Sequence, residues 1–99
     1  MKNKILQIIN HYGIEHQQRK LQEEVFELQE AIINYEDAYE ANQIYEGNDY
    51  NIPKFREHIE EELGDVLNIL EEIQLFYGIS NLDSRYSKID RQLERIEKE

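Results

Sequence analysis

RKLQEEVFELQEAIINYEDAYEANQIY, residues 19–45, decides the fold. Leu21, Val25, Leu28, Ile32, Tyr35 and Tyr39 recur at spacings of three and four, and at about 100° per residue they gather into one narrow stripe. That period belongs to a helix, and no stretch of the chain has the strict apolar alternation of a strand. The stripe exceeds what one small bundle must cover, so part of it, with Phe26 and Ile33 on another face, is expected to meet a second subunit.

Upstream, Ile5, Leu6, Ile8, Ile9 and Tyr12 predict a short first helix, closed by Gly13 in the left-handed conformation that other residues resist. The second helix then runs from near Ile14 to around Tyr45. Downstream, Gly47, Asn48, Asp49, Tyr50 and Asn51 are turn chemistry, and Pro53 suits the first turn of a third helix reaching about Tyr77. Gly78 stops it, Asp83 is placed to cap a fourth helix, and Tyr86, Ile89, Leu93 and Ile96 supply that helix's apolar stripe. The expected architecture is all-α: a four-helix bundle with a short first helix and two long central ones. It forms a single domain over residues 1–99, completed by oligomerisation.

The chain has 22 Asp and Glu against 11 Lys and Arg, a net charge of −11 that repels nucleic-acid backbones and anionic lipid, so neither is expected as a partner. It contains no cysteine, which removes thiolate nucleophiles, disulfides and zinc fingers and leaves oxygen or imidazole as metal ligands. No apolar run approaches the roughly 18 residues of a membrane span and the start has no secretory pattern, so a cytoplasmic protein is expected. The charge is segregated: residues 23–72 carry a local −14 and the remainder +3. Opposite potentials of this kind can share one cleft and serve a ligand that needs both.

Two acidic patterns stand out, E-E-x-x-E at Glu23, Glu24 and Glu27, and E-x-x-D at Glu62 and Asp65. Residues three apart are neighbours on a helix surface, so Glu24 with Glu27 and Glu62 with Asp65 each make a two-carboxylate claw. Helical projection places Glu62 among Ile59, Val66, Ile69 and Ile73, inside the apolar arc, and Glu24 beside Leu21 and Leu28. A carboxylate there must find a counter-charge or be neutralised, so Glu62 is read either as a protonated or Lys-paired core residue or as a ligand of a hard divalent cation, which several carboxylates can share. Mg²⁺, with Mn²⁺ as a substitute, suits such an oxygen cage and keeps positions open for phosphate. Glu23 and Asn68 are assigned supporting positions behind the ligands. Gln17, His16 and Lys20 fall beside the claw on helix two and are expected to line the pocket, while Glu30, Glu36, Glu60, Glu61, Glu71 and Glu72 are assigned to solvent. Arg85, Lys88, Arg91 and Arg95 lie along one side of the last helix, where arginine forks can grip phosphate.

The segments RKLQEEVFELQEAI at 19–32 and EELGDVLNIL at 61–70 resemble the MazG-like family of all-α nucleoside triphosphate pyrophosphohydrolases, and the similarity extends from about His16 to the final KIDRQLERI stretch. The resemblance implies a homodimer or homotetramer whose Mg²⁺, held by the two acidic motifs, grips a nucleoside triphosphate for cleavage to a monophosphate and pyrophosphate. Carried over by motif, Glu24, Glu27, Glu62 and Asp65 become the metal ligands and the catalytic set, and Lys88, Arg91 and Arg95 the phosphate contacts. One departure is the 34 residues between Glu27 and Glu62, more than such proteins usually have, so the Tyr35–Tyr50 region is expected to alter the base pocket.

Other readings fit less well. A ferritin-like di-iron bundle needs Glu three residues before a His, which His11, His16 and His58 all lack. The H-D dipeptide of another phosphohydrolase class is absent, and a Nudix-like set at Arg56, Glu57, Glu60 and Glu61 has its glycine, Gly64, one residue late. The histidines are read as surface, cap or pocket residues. The remaining alternative is a non-catalytic helical assembly module with no specific Mg²⁺ affinity. Tyr35, Tyr39 and Tyr50 are read first as packing residues and second as platforms for a nucleobase.

Overall fold

The computed structural model describes residues 1–99 and contains four helices and no strand: α1 (Lys2–Tyr12), α2 (Ile14–Ile44), α3 (Ile52–Phe76) and α4 (Ser84–Lys98). Gly13 alone separates α1 from α2; its φ of 87° is positive as expected, but ψ of 156° puts it outside the left-handed helical well. At the next junction the Asn51 side chain accepts from the Lys54 backbone N–H at 3.3 Å and Pro53 occupies the first turn of α3. Gly78, with φ of 67°, follows the end of α3. The expected boundaries therefore fall within a residue or so of those observed.

The two long helices form an antiparallel hairpin. On α2 the buried or half-buried positions include 14, 17, 21, 24, 28, 31, 35, 38 and 42, and on α3 they include 52, 55, 59, 62, 66, 69 and 73. Both series alternate steps of three and four, the 3.5-residue period of helices that coil around one another. Ala31 and Ala38 sit in this seam, nearly fully buried, and their small side chains let α3 approach closely. The two helices make the most extensive contact in the molecule, and α1 packs on α3 and, less extensively, on α2. Ile5 and Ile9 anchor α1 by burial. At about 1.5–3 kcal/mol each, they hold a helix too short to persist alone in water.

The α2 stripe read from sequence divides between two surfaces. Leu21, Leu28 and Tyr35 enter the seam, whereas Val25, Ile32 and Tyr39 lie roughly 50–90° further round and are exposed. On α3, Leu63, Leu67 and Leu70 are likewise displaced from the seam by roughly 60–120°. Because the helices run in opposite directions, these two sets project to the same side of the hairpin and form one continuous apolar face.

All four expected helices form, but only α1, α2 and α3 pack together within the chain. α4 packs against none of the others, and every residue from Phe76 onward is exposed, including Tyr86, Ile89, Leu93 and Ile96. The radius of gyration is 18.2 Å, against about 13 Å for a compact chain of this length. The accessible surface is 8268 Å², where a folded monomer of 12.0 kDa exposes about 6,000 Å².

Candidate metal centre

The seam carries four polar residues where a coiled pair ordinarily places apolar ones: Gln17, Glu24, Asn42 and Glu62. The period that packs Leu21, Leu28, Ile59 and Val66 thus delivers two carboxylates to the same interface. Glu24 is 6% exposed and the Glu62 side chain 13%. One oxygen of each, Oε2, is fully buried and has no hydrogen-bond partner. Buried polar atoms without partners are rare and costly, and two facing carboxylates in that condition are relieved either by a shared cation or by protonation.

Asp65, one turn beyond Glu62, completes the group: Glu24, Glu62 and Asp65 offer carboxylate oxygens within 4.8 Å of one another. Burial, followed by the charges of Glu27, Asp65 and Glu24, holds Glu62 above the usual carboxylate range, while His58 opposes the shift. His58 Nε2 lies 4.0 Å from Glu62 Oε1, and its Nδ1 lies 3.8 Å from Glu61. Lys20 Nζ stands 3.4 Å from Glu24 Oε1 and 3.9 Å from Glu23. Its bond to Glu24, reinforced by the charges of Glu24, Glu23 and Glu27, raises the lysine above its ordinary value. Lys20 engages one oxygen of Glu24 and leaves the other free, so the donor set fits a hard divalent ion bound through oxygen.

The remaining expected site residues are placed differently. Glu27 is exposed and outside the three-carboxylate group, yet its charge, after burial, helps to raise the pKa of Glu62. Glu23 is exposed and reached by Lys20 alone, and Asn68 is exposed on α3. Gln17 is no open pocket group: its Nε2 donates to Glu72 Oε2 at 3.0 Å, and its Oε1 accepts from His16 Nδ1 at 2.7 Å. Glu72, assigned to solvent from sequence, is among the most buried residues at 3% exposure, with Gln17 of the facing helix as its hydrogen-bond partner.

Lys88, Arg91 and Arg95 share one side of α4, lining a shallow surface recess with Gln92. They do not complete the acidic centre within the chain, since α4 touches neither α2 nor α3. Arg85 turns back on its neighbour, donating to the Tyr86 hydroxyl at 3.2 Å with its guanidinium 5.0 Å from the ring centroid.

A groove of about 330 Å³ opens at the turn end of the hairpin, largely within the Tyr35–Tyr50 region expected to alter the base pocket, and of its lining residues the sequence singles out only Tyr50. Asn34, Asp37, Ala38, Ala41, Tyr50 and Phe55 line it.

Compared with known proteins, the chain matches no family model, no curated protein and no solved structure.

Proposed function

We infer that the chain is a Mg²⁺-dependent nucleoside triphosphate pyrophosphohydrolase, with Mn²⁺ able to substitute. It converts a nucleoside triphosphate to the monophosphate and pyrophosphate through attack of water at the α-phosphorus. The observation that carries this reading is the pair of buried carboxylates from two helices, each with an unpartnered Oε2, converging with Asp65 within 4.8 Å. The resemblance of the two acidic motifs to MazG-like enzymes supplies the reaction.

Glu24, Glu62 and Asp65 would hold the ion. When bound, it supplies charge neutralisation for the triphosphate and a lowered pKa for an attacking water. Glu27, exposed at the edge of the group, orients that water and accepts its proton as the bond between α-phosphorus and bridging oxygen breaks. Lys20, a few ångströms from Glu24 Oε1, contacts a phosphate oxygen on the same side. The cations of α4 reach the departing pyrophosphate from a second copy of the chain. An unpacked α4, the apolar face of the hairpin and the excess surface all support such an assembly, a homodimer or homotetramer. The surplus of about 2,300 Å² per chain is of the size buried in obligate interfaces.

Pyrophosphate release across a panel of ribo- and deoxyribonucleoside triphosphates, with Mg²⁺ or Mn²⁺ and with chelator, tests the reading. Release from no nucleotide under any condition overturns it. The exposed apolar face also suits a non-catalytic assembly module, which predicts self-association without specific Mg²⁺ affinity.

A further inference from the structure

We propose that the groove at the turn end of the α2–α3 hairpin is a nucleobase subsite, which stacks a planar heterocycle on Tyr50 and prefers bases that present amino hydrogens to Asp37. The inference rests on the metal–nucleotide reading of the neighbouring carboxylates, and its position is fixed by register. Asn34 follows Glu27 by seven residues, and Phe55 precedes Glu62 by seven. Seven residues are two turns, so the groove lies on the same side of the hairpin as the open edge of the acidic centre, displaced by about 10 Å of helix rise. A sugar and its first phosphates bridge such a distance.

The construction suits a flat ring. Ala38 and Ala41 contribute no bulk to the lining, and Tyr50 and Phe55 form an aromatic corner with ring centroids 6.2 Å apart and planes at 86°. Its volume of about 330 Å³ falls at the small end of ligand sites. The Tyr50 backbone is held twice by one side chain: Asn42 Nδ2 donates to its carbonyl at 2.9 Å, and its N–H donates to Asn42 Oδ1 at 2.9 Å. A loop residue fixed in this way, yet with its side chain half exposed, presents a ring whose ordering cost is already met. The carboxylate of Asp37 can only accept hydrogen bonds. Guanine, with a ring N–H beside an amino group, offers it two adjacent donors, whereas uracil and thymine offer one donor between two carbonyls. Asn34 can serve either a donor or an acceptor on the remaining edge.

The test combines pyrophosphate-release kinetics of the full-length protein with amide NMR of the metal-free protein titrated with guanosine and uridine. Tyr50→Ala is expected to raise KM for guanine nucleotides about tenfold with little change in kcat, and Tyr50→Phe, which keeps the ring, to stay within about twofold of wild type. The backbone bonds to Asn42 do not involve the ring, so the alanine variant retains the clamp. Asp37→Asn is expected to narrow the preference for guanine over uracil. Inorganic triphosphate, which has no base, is expected to bind wild type and Tyr50→Ala alike, and guanosine to shift the amide signals of Asn34, Tyr50 and Phe55. An active wild type whose KM is unchanged in Tyr50→Ala overturns the subsite alone, as does guanosine that moves no groove amide. Guanosine shifts without pyrophosphate release from any nucleotide uphold the subsite and overturn the hydrolase reading.

Discussion

The side-chain amide of Gln17 donates to the carboxylate of Glu72 at 3.0 Å in the interior of the hairpin. Gln17 is seven residues before Glu24 and Glu72 seven after Asp65, so this bond marks the register that also sets Glu24 opposite Asp65. It is the one direct hydrogen bond between buried side chains of the two long helices.

Gln17→Leu is therefore expected to leave a buried carboxylate without its donor and to cost about 2–3 kcal/mol in urea unfolding. Gln17→Leu combined with Glu72→Leu is expected to recover much of that loss, because an apolar pair leaves nothing unsatisfied. A double variant as unstable as the single one contradicts this account.

Glu62→Ala and Asp65→Ala are each expected to abolish turnover and weaken Mg²⁺ binding by more than the roughly 10–100-fold typical of outer-sphere partners. Calorimetric titration measures the affinity. Saturation of wild type at about one hundred times Kd is expected to stabilise it by about 2.7 kcal/mol, a gain that both variants lose.

Burial first, and then the neighbouring carboxylates, raise the pKa of Glu62, so protons compete with the ion at a higher pH than at an ordinary carboxylate site. Mg²⁺ affinity is expected to fall as pH drops through that raised value. In metal-free protein the sign for stability is opposite. The contribution of Glu62 is fully present below its unfolded pKa and is lost as pH rises through the raised folded value. Thermal melts between about pH 4 and 8, with and without Mg²⁺, check both trends, and Glu62→Gln is expected to flatten them.

Leu67→Glu places a charge in the exposed apolar face without touching the seam. Light scattering is expected to show a smaller assembly than wild type, with helicity of the α1–α3 unit retained. An unchanged mass assigns the interface elsewhere.

Arg91→Ala with Arg95→Ala is expected to raise KM for nucleoside triphosphate about tenfold or more, since charge-assisted bonds to phosphate are the strong ones. Mg²⁺ affinity is expected to remain at the wild-type value, because α4 contributes nothing to the carboxylate group.

Much of this structure is legible in the sequence because it is local. Gly13, Pro53 and Gly78 punctuate the helices through their own backbone preferences, and Glu24 and Glu62 betray themselves by falling inside apolar arcs. The division of the α2 stripe is harder to read: Leu28 and Val25 have equal claims to burial, and only the direction of approach of α3 chooses between them. Glu72 looks like a surface residue until Gln17 arrives from 55 positions away. The separation of α4 from the acidic group likewise depends on contacts beyond any one helix.

The alternating step of the seam limits how this molecule can change. One residue inserted in α3 between Asn51 and Glu62 turns the Phe55 wall of the groove out of line with the carboxylates by about 100°, whereas seven inserted in each of the two long helices restore the alignment and lengthen the interval by about 10 Å. Extra residues in the connecting turn rotate neither helix. Selection could thus remodel the far rim freely, but could resize the gap between the two recesses only in whole-heptad jumps.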